Sequence, residues 1–209
     1  MYIHGYASNG NATKARLLKS MFPESNVITP TFDYNADYPD DIQSELRRMV
    51  EENDVRLIVG SSFGGYQALC TTLFFEGPVW CVNPVRDVVS TMRMLLKEKG
   101  LTEEFFNARS GRCVPVVDKG VTTRRMQSAD EALAVYEDFD QRVFQHLPCR
   151  PRQLNFALSL DDDVLGSHEP LLAMFPNTNK VVWRDNANHH FTPFLELKDA
   201  ISDTLKSSE

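Results

Sequence analysis

Leu57-Ile58-Val59-Gly60-Ser61-Ser62-Phe63-Gly64-Gly65-Tyr66 decides how the rest of this chain is read. Three consecutive aliphatic residues predict a buried strand, and the residues from Phe63 to Phe75 predict a helix. Between them, Gly60-Ser61-Ser62-Phe63-Gly64 fits the pattern G-x-S-x-G with Ser62 at its centre. A serine at the tip of so sharp a strand-to-helix turn takes strained backbone angles, and small neighbours relieve the crowding around it. The same turn sets Ser62 at a helix N-terminus, where backbone N–H groups favour a developing oxyanion. The pattern therefore predicts an activated serine nucleophile. The competing reading is a glycine-rich turn without chemistry, and the strand before and helix after weigh against it.

Working outward, short apolar runs alternate with amphipathic ones. Strands are expected at 2–4, 26–29, 56–60, 78–82, 153–160 and 179–183. Helices are expected at 13–22, 40–52, 63–75, 85–99, 170–175 and 193–205. Six strands alternating with helices predict an α/β fold with a mostly parallel sheet covered on both faces. The interval 101–151 is irregular, apart from a helix expected at about 128–144. It is short for an independent core and reads as a cap or lid on a single domain of 209 residues.

Composition bounds the function. Hydrophobic residues are 42% and charged residues 24%, as in an ordinary globular protein. Twenty-two basic against 29 acidic residues give −7, which argues against nucleic acid or an anionic membrane as partner. No apolar run reaches the ~18 residues of a membrane span, and no signal peptide is visible. Cys70, Cys81, Cys113 and Cys149 show no metal-ligand spacing and read as reduced thiols of a cytoplasmic protein.

Ser62 needs a base, and in folds with this elbow the order along the chain is serine, acid, histidine. His189 and His190 follow the last expected strand, and either of them fits the base. Asp161, Asp162 and Asp163 follow the strand ending near residue 160, where a carboxylate can orient a histidine. Asp185 is a weaker candidate. A second oxyanion donor is expected after the first strand, so that the N–H groups of Tyr6 and Phe63 face the substrate oxygen. His4 is expected to brace that loop. Arg86, beyond Asn83-Pro84, is a candidate for an anionic substrate group, against the plainer reading of a surface arginine paired with Asp87. No G-x-G-x-x-G follows a strand and no ligand set is apparent, so neither a cofactor nor a metal is expected.

His4-Gly5-Tyr6-Ala7-Ser8-Asn9, Gly60 to Tyr66, Val82-Asn83-Pro84, Asp162-Asp163-Val164-Leu165 and Asn188-His189-His190-Phe191-Thr192 together resemble the YqiA/YcfP-like small α/β-hydrolases. The resemblance covers residues 1–99 and about 153–200, and leaves 101–150 unmatched. It implies a three-layer α/β-hydrolase fold whose sheet lacks the two leading strands, with the second strand at one edge. It implies Ser62 as nucleophile, His189 as base and Asp162 as acid, with Asp161 standing where glycine is usual. Its catalytic branch implies an esterase acting on small acyl esters or thioesters. A serine-less branch implies the alternative, a hydrolase-fold protein that binds a ligand or partner without turnover. In the esterase reading, the acyl part of the substrate is expected to rest on apolar residues of the insertion, Phe105, Phe106 or Phe139.

Overall fold

A computed structural model describes residues 1–34, 37–98, 113–118, 121–126, 129–147 and 153–207. Strands β1 (Tyr2–Ile3), β2 (Ile58–Ser61), β3 (Val79–Val82), β6 (Leu154–Ser159) and β7 (Lys180–Arg184) form one parallel sheet in that spatial order. Strands β4 (Cys113–Asp118) and β5 (Val121–Met126) pair with each other as a separate antiparallel hairpin. Among the described residues the α-helices are α1 (Thr13–Met21), α2 (Pro39–Glu52), α3 (Phe63–Thr71), α4 (Val88–Glu98), α5 (Ala129–Arg142), α6 (Glu169–Met174) and α7 (Lys198–Lys206).

Among the described residues the main sheet has five strands, where six were expected. Residues 26–29 do lie along the outer edge of β1, since the Tyr2 N–H donates to the Ile28 carbonyl at 2.8 Å. They form no strand because β1 is two residues long and has too little edge to carry a ladder. The hairpin was not expected.

Period-two alternation splits the core into two layers. Ile58, Val79, Cys81, Phe156 and Leu158 face a cluster with Ile42 and Leu46 of α2, Phe63, Tyr66 and Leu69 of α3, and Leu133, Tyr136 and Phe139 of α5. Their neighbours Val59, Trp80, Val82 and Ala157 face the opposite cluster, with Leu18 of α1 and Ile201 of α7. Helix α5 belongs to the interval read as a lid, yet its apolar face is part of the first cluster. Tyr66 Oη donates to Asp140 Oδ1 at 2.5 Å, and Arg142 bonds Asp40 at 2.9 Å. Helix α3, the product of the opening motif, is buried along its whole length between sheet and helices.

Cys70 and Cys81 are free, and burial pushes both thiols up. The side chain of Cys113 and all of Cys149 lie outside the described residues. Among the described residues, no helix is long and apolar enough to cross a membrane.

Candidate active site

The polar residues of the site follow the carboxyl ends of the sheet strands, the edge at which open α/β sheets place ligands. His4 to Tyr6 follow β1, Ser62 follows β2, Asn83 follows β3, the three aspartates follow β6 and His189 follows β7.

Ser62 has φ 56° and ψ −118°, a left-handed conformation that a non-glycine residue adopts at a cost of ~1–3 kcal/mol. Its neighbours hold it there. The Ser62 N–H donates to the Val82 carbonyl at 2.9 Å, and the Ser62 carbonyl accepts from Val85 and Tyr66, each at 3.1 Å. Two glycines are required by close approach. A Cβ on Gly60 would lie 2.1 Å from the Gly64 carbonyl oxygen, and a Cβ on Gly64 would lie 2.2 Å from that of Ile3. Strand, helix and the loop after β1 thus meet backbone to backbone at the elbow.

The structure brings Ser62, His189 and Asp162 together. His189 Nε2 lies 2.8 Å from Ser62 Oγ, and its Nδ1 lies 3.1 and 3.0 Å from the two oxygens of Asp162. With Nδ1–H donated to the carboxylate, Nε2 is left as the acceptor for the serine proton. Burial alone would raise the Asp162 carboxyl, whose side chain is fully enclosed. Hydrogen bonds from His168, His189 and the Leu165 N–H outweigh burial and hold it well below the usual carboxylate range. His190 does not point its chemistry at Ser62 in this way: its N–H bonds Asn188 Oδ1 and the residue is exposed.

The flanking aspartates take a different task. Asp161 Oδ1 accepts the N–H groups of Ala187 and Asn188 at 3.1 and 3.3 Å, and Asp163 Oδ1 accepts that of His189 at 2.9 Å. Asp185 has no contact with the histidines among the hydrogen bonds of the described residues. Two residues that sequence reasoning passed over complete the frame. His168 Nε2 donates to Asp162 Oδ2 at 3.0 Å from a buried position. The carboxylate's other oxygen is already fixed by the N–H groups of Val164 and Leu165, at 3.0 and 2.8 Å. Buried Asn83 donates from Nδ2 to the Asn188 carbonyl at 2.9 Å and the His189 carbonyl at 3.1 Å, and accepts the Ser159 N–H on Oδ1 at 2.8 Å. The V-N-P motif drew attention to Asn83 without indicating this role.

Tyr6 and Ser62 line one cavity of about 340 Å³, and the Tyr6 ring lies 6.0 Å from that of Phe63. Phe63 heads α3, so its N–H has no intrahelical acceptor. His4 braces the loop after β1. Its Nε2 accepts the Phe32 N–H at 2.9 Å, which leaves the proton on Nδ1, donated to the Gly5 carbonyl at 2.8 Å. Burial lowers this imidazole's affinity for a second proton.

Arg86 is exposed at the rim of a different cavity of about 420 Å³, shared with Leu165 and His168. Asp87 does not pair with it, because that carboxylate caps the backbone and hydroxyl of Ser90. Phe105 and Phe106 lie outside the described residues. Phe139 is a correction: it is 1% exposed in the core beneath Tyr66, too enclosed to meet an acyl chain. Among the described residues, no set of three or more His, Cys, Asp or Glu side chains is arranged to hold a metal ion.

Sheet order and elbow define an α/β-hydrolase fold. The profile of the uncharacterised protein family UPF0227 matches residues 1–205, and the chain belongs to that family, the YqiA/YcfP family that its motifs resemble. Among solved structures it is similar to Est1E from Butyrivibrio proteoclasticus, at 13% identity over 98% of this chain and 87% of that one, with a TM-score of 0.61. It is similar to the monoacylglycerol lipase of Paleococcus ferrophilus, at 12% identity over 100% and 95% of the two chains and a TM-score of 0.60. It is also similar to the esterase domain of a Rhodothermus marinus protein, at 15% identity over 97% and 83% and a TM-score of 0.59.

Proposed function

We propose that this protein is a serine hydrolase that cleaves small acyl esters or thioesters through an acyl-enzyme. The observation that carries the reading is the unbroken chain of contacts from Ser62 Oγ through His189 to Asp162, with Ser62 at a positive φ. Esterases and lipases among the proteins of similar fold agree with it.

In the first half of the reaction, Ser62 Oγ attacks the acyl carbonyl while its proton passes to His189 Nε2. The N–H groups of Tyr6 and Phe63 hold the oxyanion. Collapse of the tetrahedral intermediate expels the alcohol or thiol, which takes the proton from His189. In the second half, His189 takes a proton from water, the hydroxide attacks the acyl carbon, and Ser62 leaves with that proton. Asp162 stays ionised throughout and stabilises the imidazolium formed in both halves. The protein acts in the cytoplasm on a small-molecule substrate.

The test pairs turnover with labelling. Wild type is expected to hydrolyse short p-nitrophenyl esters and to be labelled by a fluorophosphonate. Ser62→Ala is expected to lose labelling and at least ~10³-fold in kcat/KM. Unchanged hydrolysis in the folded variant would refute the mechanism. A wild type that is neither labelled nor active would instead support ligand binding without turnover.

A further inference from the structure

The cavity beside Ser62 holds a charge that this hydrolytic scheme does not use. Lys14, in the first turn of α1, lines the same cavity of about 340 Å³ as Tyr6, Ser62, His189 and His190. None of the described residues lining it is acidic. Among the described residues, no carboxylate lies within ion-pair distance of the Lys14 ammonium. The group is half-buried, and desolvation lowers it to about 8. Surface lysines ordinarily point their heads into water, so a desolvated ammonium with no counter-ion is unfavourable until a ligand supplies the charge. That this occurs in a chain of net charge −7, and in the cavity of the nucleophile, gives it a specific meaning.

We infer that Lys14 is a specificity determinant that selects esters carrying an anionic group, a carboxylate or phosphate, within reach of its Nζ when the acyl carbon sits on Ser62 Oγ. The inference rests on the hydrolase reading and narrows its substrate class. Lysine acts here as a point charge on a flexible stem, which suits an anion on either the acid or the alcohol side of the ester. Among the described residues, the other titratable groups facing this cavity are His189 and His190 from the loop after β7, Tyr6 from the loop after β1, and Tyr2 of β1, whose phenol burial keeps protonated. None of them offers Lys14 a carboxylate. Because its ammonium is charged below about 8 and neutral above, selection of anions is present at pH 7 and fades as pH rises through that value.

The experiment compares kcat/KM within two ester pairs. On the acid side, p-nitrophenyl hemisuccinate is set against p-nitrophenyl valerate. On the alcohol side, 4-acetoxybenzoate is set against 4-acetoxybenzamide. In at least one pair, Lys14→Met is expected to lower the anionic-to-neutral ratio about tenfold, the loss of one charge-assisted contact. Lys14→Glu is expected to lower it further, and Lys14→Arg to keep it at pH 9, where the wild type has lost it. Ratios unchanged by Lys14→Met and Lys14→Glu in both pairs would overturn the inference. If wild type turns over none of the four esters, the hydrolase reading fails by itself. The anion reading is then decided by NMR titration of monomethyl succinate: binding weakened by Lys14→Met supports it, and equal binding overturns it.

Discussion

Gly60→Ala converts the geometry of the elbow into numbers. The added Cβ would lie 2.1 Å from the Gly64 carbonyl oxygen, 2.6 Å from the Gly64 carbonyl carbon and 2.7 Å from Ala68 Cβ. Non-bonded carbons rest at ~3.5–4.0 Å, so β2 and the first turn of α3 must separate by about 1 Å. Helix α3 has no room to yield, since its residues are all buried and Gly64 already abuts the carbonyls of Ile3 and His4. The expense falls at the upper end of the ~1–3 kcal/mol usual for overpacking. At ~2–4 °C per kcal/mol for a domain of this size, Tm is expected to fall by about 6–12 °C. Ser62 is two residues further on, and a displacement of about 1 Å at the reacting group lowers the rate on the order of 100-fold. Calorimetry reads the first effect, and the rate of fluorophosphonate labelling per folded molecule reads the second. A Tm within ~2 °C of wild type, with labelling at the wild-type rate, would refute the steric account of the elbow.

Asp162, Asp163 and His168 give further tests. Asp162→Asn is expected to lower kcat/KM on the order of 10⁴-fold by favouring the wrong histidine tautomer. Asp163→Asn, which keeps an acceptor for the His189 N–H, is expected to lose no more than about tenfold; equal losses would contradict the division of labour among the aspartates. His168→Leu removes the donor that holds Asp162 Oδ2, so the carboxylate is expected to pull harder on the His189 proton. The acid limb of the kcat/KM profile should then move to higher pH, with His168→Gln restoring it through its amide N–H. An unmoved limb in His168→Leu would mean that this histidine only fills space.

Local patterns were legible and pairings at a distance were not. The run from Leu57 to Tyr66 carries strand, turn and helix in ten consecutive residues, so β2, the elbow and α3 could be read without knowing what surrounds them. The strand expected at 26–29 has the right composition, but its existence depends on the length of β1, a partner more than twenty residues away. The hairpin was readable in principle, because Val114 to Val117 and Val121 to Thr123 flank Lys119-Gly120 in the sequence. Aspartates 161 to 163 are adjacent, and only the path of the loop decides that the middle one turns inward while its neighbours reach the backbone of the histidine loop. Lys14 lies on a helix with an ordinary apolar face, and nothing local shows that its head comes to rest in the cavity of a serine 48 positions later.

The loop that carries His189 is fastened through main-chain atoms. Asp161 and Asp163 hold its N–H groups, and Asn83 holds its carbonyls. Every amino acid except proline brings those same atoms. The exposed side chain at His190, beside the cavity mouth, can therefore be exchanged while the base stays mounted. Position 190 is where variation, natural or engineered, can reshape the entrance without dismantling the apparatus behind it.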